Sequence, residues 1–332
     1  MIKKLTGLTA SLVALASTAS AEVKINENLS LDGYAIGSYL VTEGTGSKNE
    51  TFIDSGSRLY DSVKVALNGT YGDFSGKASV LVQSVRGTSN EQGGLLDAYL
   101  TYTAGDFALT GGKFNSWLGY ESFDSPNNAF ISYGLSGYTA NYTTGAKAEY
   151  LGETLSAGVS VRDSILASDL RANSFGFYSG DGNFSDDLGY EAYLLYTGIE
   201  KLTLFAGFGY EDTDTEGGVV ADDVSTFNVW GSYAFTDKFS LAVEYASTEA
   251  AVDSSWLFQG TYIVSDAVSV SARLTFKDSA DDTVADDAVG YGLASTYTIS
   301  ENFAIKGEIT KTDNEPFTDD VFTYAIQGLF KF

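Results

Sequence analysis

The side chains that carry charge near neutral pH in this chain are carboxylates, lysines and arginines only. Its 332 residues hold 44 acids and 19 bases but no histidine and no cysteine. That excludes a Ser-His or Cys-His nucleophile and a His- or Cys-ligated metal. What remains is paired charge, such as Lys306 with Glu308, and acid-rich runs, such as Asp281, Asp282, Asp286 and Asp287. Carboxylate oxygens suit hard cations such as calcium or magnesium. The run lacks EF-hand spacing, so it is a weak candidate metal site, and a solvated face of mutually repelling acids is the other reading. No cofactor is implied. Charges spaced like Lys306 and Glu308 fit the lining of a passage better than acid-base catalysis, so no enzyme is expected. A net charge of −25 disfavours nucleic acid as a partner.

Residues two apart share a face on a β-strand, and period-2 alternation recurs along this chain. Phe239, Leu241, Val243 and Tyr245 alternate with Ser240, Ala242 and Glu244. Val268, Val270, Ala272, Leu274 and Phe276 alternate with Ser269, Ser271, Arg273 and Thr275. These runs reach about ten residues, the length of a tilted membrane strand, where soluble sandwich strands have about 5–6. Only 2 prolines occur, as a chain that is nearly all ladder requires. Short connections such as Tyr71-Gly72-Asp73, Ala104-Gly105-Asp106 and Ser300-Glu301-Asn302 carry the residues that tight hairpins favour. They alternate with long acidic segments. Seven short turns and eight long loops give sixteen strands, from Leu29–Val41 through Arg58–Thr70 and Phe107–Phe114 to Val321–Phe332. The fold class expected is an all-β transmembrane antiparallel barrel with lipid as its surroundings.

Lys3 and Lys4, the apolar run Leu5 to Ala16 and the small residues Ala19-Ser20-Ala21 read as a cleaved leader. The expected organisation is a signal peptide over 1–21 and one barrel over 22–332, in the outer membrane of a Gram-negative-type bacterium. Aromatic rings lie beside the short turns (Tyr71, Phe74, Tyr102, Phe107, Tyr150) and near the opposite strand ends (Phe227, Tyr245, Trp256, Phe276), as interfacial girdles do.

Parity then assigns charge. An Arg or Lys facing lipid at mid-depth costs about 2–4 kcal/mol, so strand-centre charges face inward. The bases are Arg58, Lys64, Lys77, Lys147, Arg162, Arg273 and Lys306, and the acids Asp32, Asp97, Glu149, Glu191, Glu244 and Glu308. A sixteen-strand barrel leaves an aqueous lumen that these residues would line.

The ending Tyr324-Ala325-Ile326-Gln327-Gly328-Leu329-Phe330-Lys331-Phe332 resembles the terminal strand of Gram-negative outer-membrane proteins. The resemblance implies that Tyr324, Phe330 and Phe332 are read by the barrel assembly machinery. Gly112-Lys113-Phe114, Leu118-Gly119-Tyr120-Glu121 and Ser125-Pro126-Asn127 are similar to a segment of the OmpL-like β-barrel porin family. Membership implies an outer-membrane channel and a homotrimer. In sixteen-strand porins the loop after the fifth strand folds inward, which makes 115–137 a candidate constriction carrying Glu121 and Asp124, with Lys113 at its root. The other reading folds that loop over the rim. The expected function is passive diffusion of ions and small polar solutes, weakly cation-preferring because the outer loops are acidic. A non-conducting adhesin or envelope-structural barrel is the alternative.

Overall fold

The protein is described by a computed structural model, and the residues it describes are 22–44, 47–52, 62–84, 91–134, 142–165, 188–211, 223–249, 252–279, 287–315 and 320–332. The leader assigned to 1–21 lies outside them, as do Arg58, Asp281, Asp282 and Asp286. The strands are β1 (Val23–Lys24), β2 (Leu29–Gly44), β3 (Ser47–Phe52), β4 (Ser62–Tyr71), β5 (Phe74–Ser84), β6 (Glu91–Ala104), β7 (Phe107–Phe114), β8 (Thr143–Leu151) and β9 (Leu155–Arg162). They continue as β10 (Gly189–Tyr196), β11 (Leu202–Glu211), β12 (Val224–Ala234), β13 (Phe239–Thr248), β14 (Val252–Ser265), β15 (Val268–Ser279), β16 (Asp287–Thr298), β17 (Phe303–Glu315) and β18 (Val321–Lys331). Among the described residues no helix is long and apolar enough to cross a membrane.

From β4 onward each strand pairs antiparallel with the next, and β18 pairs back onto β2, from Val321↔Gly44 to Lys331↔Tyr34. The sheet therefore closes. On its other side β2 meets β4 over Leu29↔Gly69 to Ile36↔Ser62 and β3 over Tyr39↔Phe52 to Gly44↔Ser47. β3 and β4 thus form one stave, and β1 only adds to the edge of β2. The wall has sixteen antiparallel staves, as the turn count implies.

Local chemistry explains the staves. Along β10 the buried residues Glu191, Tyr193 and Leu195 alternate with the more exposed Tyr190, Leu194 and Tyr196. The outward face is apolar all round, with Leu100, Leu109, Val159, Leu293 and Ile309 among its exposed residues. Gly72 and Gly105, at φ 60° and 62°, turn the two hairpins that open with Tyr71 and Ala104. Rings pair across neighbouring staves beside the short turns: Phe74 with Tyr102 at 5.1 Å, Phe107 with Tyr150 at 5.4 Å and Phe303 with Phe330 at 4.7 Å. Near the long-loop ends Tyr245 pairs with Trp256 at 4.9 Å.

The seam depends on the last residue. The Phe332 amide donates to the Gly33 carbonyl at 3.0 Å, and the Gly33 amide donates to the Phe332 carbonyl at 2.8 Å. The Phe332 ring lies over Gly33, where a Cβ would fall 2.7 Å from ring Cζ and 2.2 Å from the Lys64 carbonyl oxygen. Gly33→Val should therefore destabilise the folded barrel by about 1–3 kcal/mol. The neighbouring Ala35→Val serves as the control. Thermal loss of the compact, heat-modifiable band on electrophoresis measures this. Equal midpoints for the two variants would remove Gly33 from the seam.

Candidate functional site

The inner wall is not lined by charge alone. On β10 to β14 it carries Tyr193, Leu195, Phe205, Trp230, Ala242 and Leu257, all buried. Phe205 stacks between Tyr193 at 6.0 Å and Trp230 at 5.3 Å. A second apolar group (Tyr34, Ile36, Leu81, Leu96, Tyr142, Ala304 and Leu329) lies on and beside β2, β5, β6, β17 and β18.

What covers these patches is the stretch Asn115–Gly134. It leaves the wall at the end of β7. There Gly112 has φ 127° and its missing Cβ would sit 2.2 Å from the Ala98 carbonyl oxygen, so the backbone path requires glycine. Trp117 packs on Tyr193 at 4.6 Å and Tyr120 on Trp230 at 5.6 Å, while Leu118 joins the same group. Phe123 joins the second group, meeting Tyr142 edge-on at 5.0 Å. Two wall glycines act as sockets. A Cβ on Gly207 would lie 2.4 Å from Leu118, and one on Gly292 would lie 2.7 Å from the ring of Phe130. Burying each such side chain contributes roughly 1.5–3 kcal/mol.

Polar contacts fix the same path. The Gly119 amide donates to Asn228 at 3.0 Å, and the Tyr120 amide to Glu244 at 2.8 Å. Glu121 meets Arg273 at 2.7 Å. Asp124 precedes the 3-10 turn Ser125–Asn127, with Pro126 inside it. An aspartate there would ordinarily cap the turn. Its carboxylate instead accepts from Lys64 at 2.7 Å and from the Tyr34 hydroxyl at 3.2 Å. Lys306 donates to the carbonyls of Ser125, Pro126 and Asn128 at 3.2, 3.3 and 2.6 Å. Glu308 accepts from the Ser132 amide at 3.0 Å, from the Ile131 amide and from the Ser132 hydroxyl. The stretch thus touches the inner wall from β8 round to β17, and β2 and β4 beyond. Burial pushes the phenols of Tyr120 and Tyr142 up, with nearby acids adding to it, so both stay neutral.

The remaining charges suggested by parity pair on the wall itself. Arg162 and Glu191, both fully buried, meet at 2.8 Å. Lys147 meets Glu149 at 3.0 Å, and Glu149 also accepts from Trp117 at 3.2 Å and Tyr193 at 3.1 Å. Asp97 lies at a register shift in β6 and accepts from Ser79 at 2.5 Å, with Lys77 at 3.7 Å and Lys64 at 3.9 Å. Asn68 donates to Asp32 at 2.5 Å. Lys113 is buried at the end of β7. Asp287 is exposed and accepts from the Ser279 amide at 2.9 Å. Among the described residues no group of three acids is placed to hold a metal. Glu121 and Asp124 each touch a wall base directly, Arg273 and Lys64 respectively.

Sequence reasoning missed the docking surface. Its signal was a broken alternation: Phe205 lies on the polar face with Thr203, and Trp230 shares a face with Asn228 and Ser232. Tyr34, Tyr142 and Ser132 gave no signal, because their partners are far along the chain.

Solved structures of similar fold include OmpT, an outer membrane protein of Vibrio cholerae, at 14% identity and TM-score 0.63, covering 94% of this chain and 100% of that one. An anion-selective porin from Comamonas acidovorans matches at 11% identity and TM-score 0.64, covering 92% and 99%. A mutant of the Rhodopseudomonas blastica porin matches at 16% identity and TM-score 0.57, covering 92% and 100%. No curated protein matches. The model of the family described as "Putative beta-barrel porin-2, OmpL-like" matches residues 56–323. With the closed sixteen-stave wall, that match across most of its length places the chain in the outer membrane of Gram-negative bacteria and makes it a member of the OmpL-like β-barrel porin family.

Proposed function

We propose that the protein is a passive diffusion channel for ions and small polar solutes, with 115–134 as its constriction. The observation that carries this reading is the course of that stretch. It docks on both apolar patches and on β15–β17, and it leaves Lys77 of β5 and Lys147 of β8 only partly covered. Lys77 and Lys147 keep 26% and 16% of their side chains exposed there, against 0% for Arg162. A barrel of sixteen staves is wide enough to hold water beside such an insert. The reading has the passage run along β5–β8, with Lys77, Asp97, Lys147 and Glu149 on its wall and no chemical step. Selectivity then comes from width and lining charge.

The same reading has Met1–Ala21 direct export and Tyr324, Phe330 and Phe332 present the last strand to the assembly machinery. The family likeness supports a homotrimer. Acid-rich outer segments favour cations at the mouth, so the channel is weakly cation-preferring. A non-conducting envelope barrel is favoured by one observation: Lys64, Glu191, Glu244, Arg273, Lys306 and Glu308 are each 8% exposed or less, so the bore is tightly filled.

Planar-bilayer recording separates the two. Discrete conductance steps are expected from the purified protein, and a silent protein would exclude the channel. In a salt gradient the reversal potential should lean to cations, and an anion preference would overturn that part. Lys77→Glu and Lys147→Glu should raise the cation-to-anion permeability ratio severalfold, whereas Lys306→Gln, far from the proposed passage wall, should leave it near the wild-type value. Gly207→Leu should push Leu118 off its socket and alter the step size, while Gly231→Leu, on the lipid face of β12, should not.

A further inference from the structure

Lys306 and Glu308 are poorly placed to influence a passing ion. They are 2% and 3% exposed, and among the described residues neither forms an ion pair. Both sit on the inner face of β17, two residues apart, and both end on main-chain atoms of the inner stretch. The ammonium of Lys306 donates to the carbonyls of Ser125 and Pro126 in the 3-10 turn and of Asn128 just after it. The carboxylate of Glu308 receives the amides of Ile131 and Ser132. One strand thereby grips two neighbouring parts of the stretch, a cation on its carbonyls and an anion on its amides. Between those grips the Phe130 ring enters the gap left by Gly292 and lies under Arg273 at 4.2 Å. Arg273 closes the far side, donating to the Ser132 carbonyl at 2.8 Å and the Ser132 hydroxyl at 2.9 Å.

We infer that Lys306 and Glu308 are positioning residues: a two-point clamp, seated on the Gly292 socket, that sets the width of the constriction. This rests on the channel reading above. The grip on main chain is what makes the clamp. Side chains of the stretch can change without altering those bonds, while loss of either wall residue strands buried polar atoms. Without Lys306 the carbonyls of Pro126 and Asn128 lose their donor, while that of Ser125 keeps the Asn128 amide at 3.1 Å, and two amides lose their acceptor without Glu308. The tip then has no fixed seat, although the anchors at Tyr120 and Asp124 remain. A residue that acted through its field would shift ion selectivity. A clamp shifts step size and open-channel noise at unchanged selectivity.

The experiment uses full-length protein with Lys306→Met, Glu308→Leu, Gly292→Val and the conservative Lys306→Arg. Heat-modifiable migration confirms that each barrel is folded. Single-channel recording is expected to give altered step size and increased open-channel noise for the first three, with the reversal potential unmoved and Lys306→Arg returning toward wild type. Amide exchange at Ile131 and Ser132 should accelerate at least tenfold in Lys306→Met and Glu308→Leu. Folded variants with wild-type steps, noise and exchange would overturn the clamp and leave the channel standing. A shifted reversal potential with unchanged noise would overturn it too, in favour of a lining role. Should the wild type itself conduct nothing, the channel reading fails, the exchange measurement still decides whether the grip exists, and the inference about width falls.

Discussion

Hydrocarbon offers no partner for a backbone amide or carbonyl, so a sheet that crosses it has to close on itself. That requirement governs the rest of this molecule. It is met at the junction of β18 with β2, where the reciprocal bonds of Phe332 with Gly33 complete the ladder. Closure fixes which residues face out, and facing out means facing lipid. Charge is thereby driven to the inner surface whether or not the inner surface has a use for it. An inward lysine on a porin wall is first a consequence of closure and only then a candidate for selectivity.

The interior shows how such charges are then accommodated. The part of the bore that the inner stretch fills is a low-dielectric place, and an isolated ion there is costly. The wall and the inner stretch resolve this by pairing. Arg162 with Glu191, Arg273 with Glu121 and Lys64 with Asp124 are direct ion pairs, Lys306 and Glu308 end on main chain, and one oxygen of Glu244 accepts from the Tyr120 amide and the Asn228 side chain. Removing one member of such a buried pair costs about 3–5 kcal/mol, so these groups are held in place by stability. The apolar patches under Trp117, Leu118 and Tyr120 add a term that needs no charge at all. That explains why aromatic residues appear on a face that alternation assigns to polar ones.

The staves were legible in the sequence because a lipid-facing surface imposes strict parity over about ten residues. Phe239 to Tyr245 and Val268 to Phe276 needed no other information. The turns at Gly72 and Gly105 were legible because a positive φ has few acceptable residues. Parity also located Lys64, Asp97, Glu244 and Arg273 on the inner face. It could not say what they touch. Asn115–Gly134 has no period to read, and its contacts join residues as far apart as Ile131 and Glu308, or Asp124 and Lys64. The second stave was expected as Arg58–Thr70. It is β4 with β3 beside the outer half of β2, and residues 53–61 between them lie outside the described part, so the run of alternation there says nothing about Arg58.

The two populations of inward charge differ in how freely they can vary. Those that hold the inner stretch are nearly fully buried, and each is tied to at least one atom whose burial depends on it. Lys77 and Lys147 are the partly exposed ones; their acids, Asp97 and Glu149, have other donors in Ser79, Trp117 and Tyr193. Replacing either lysine therefore leaves no carboxylate stranded. For the diffusion channel proposed above, solute preference can then change at β5 and β8 while the architecture of the constriction stays as it is. On that reading the fold separates the charges that define the opening from the charges that face what passes through it, and it does so by the amount of water each is left in contact with.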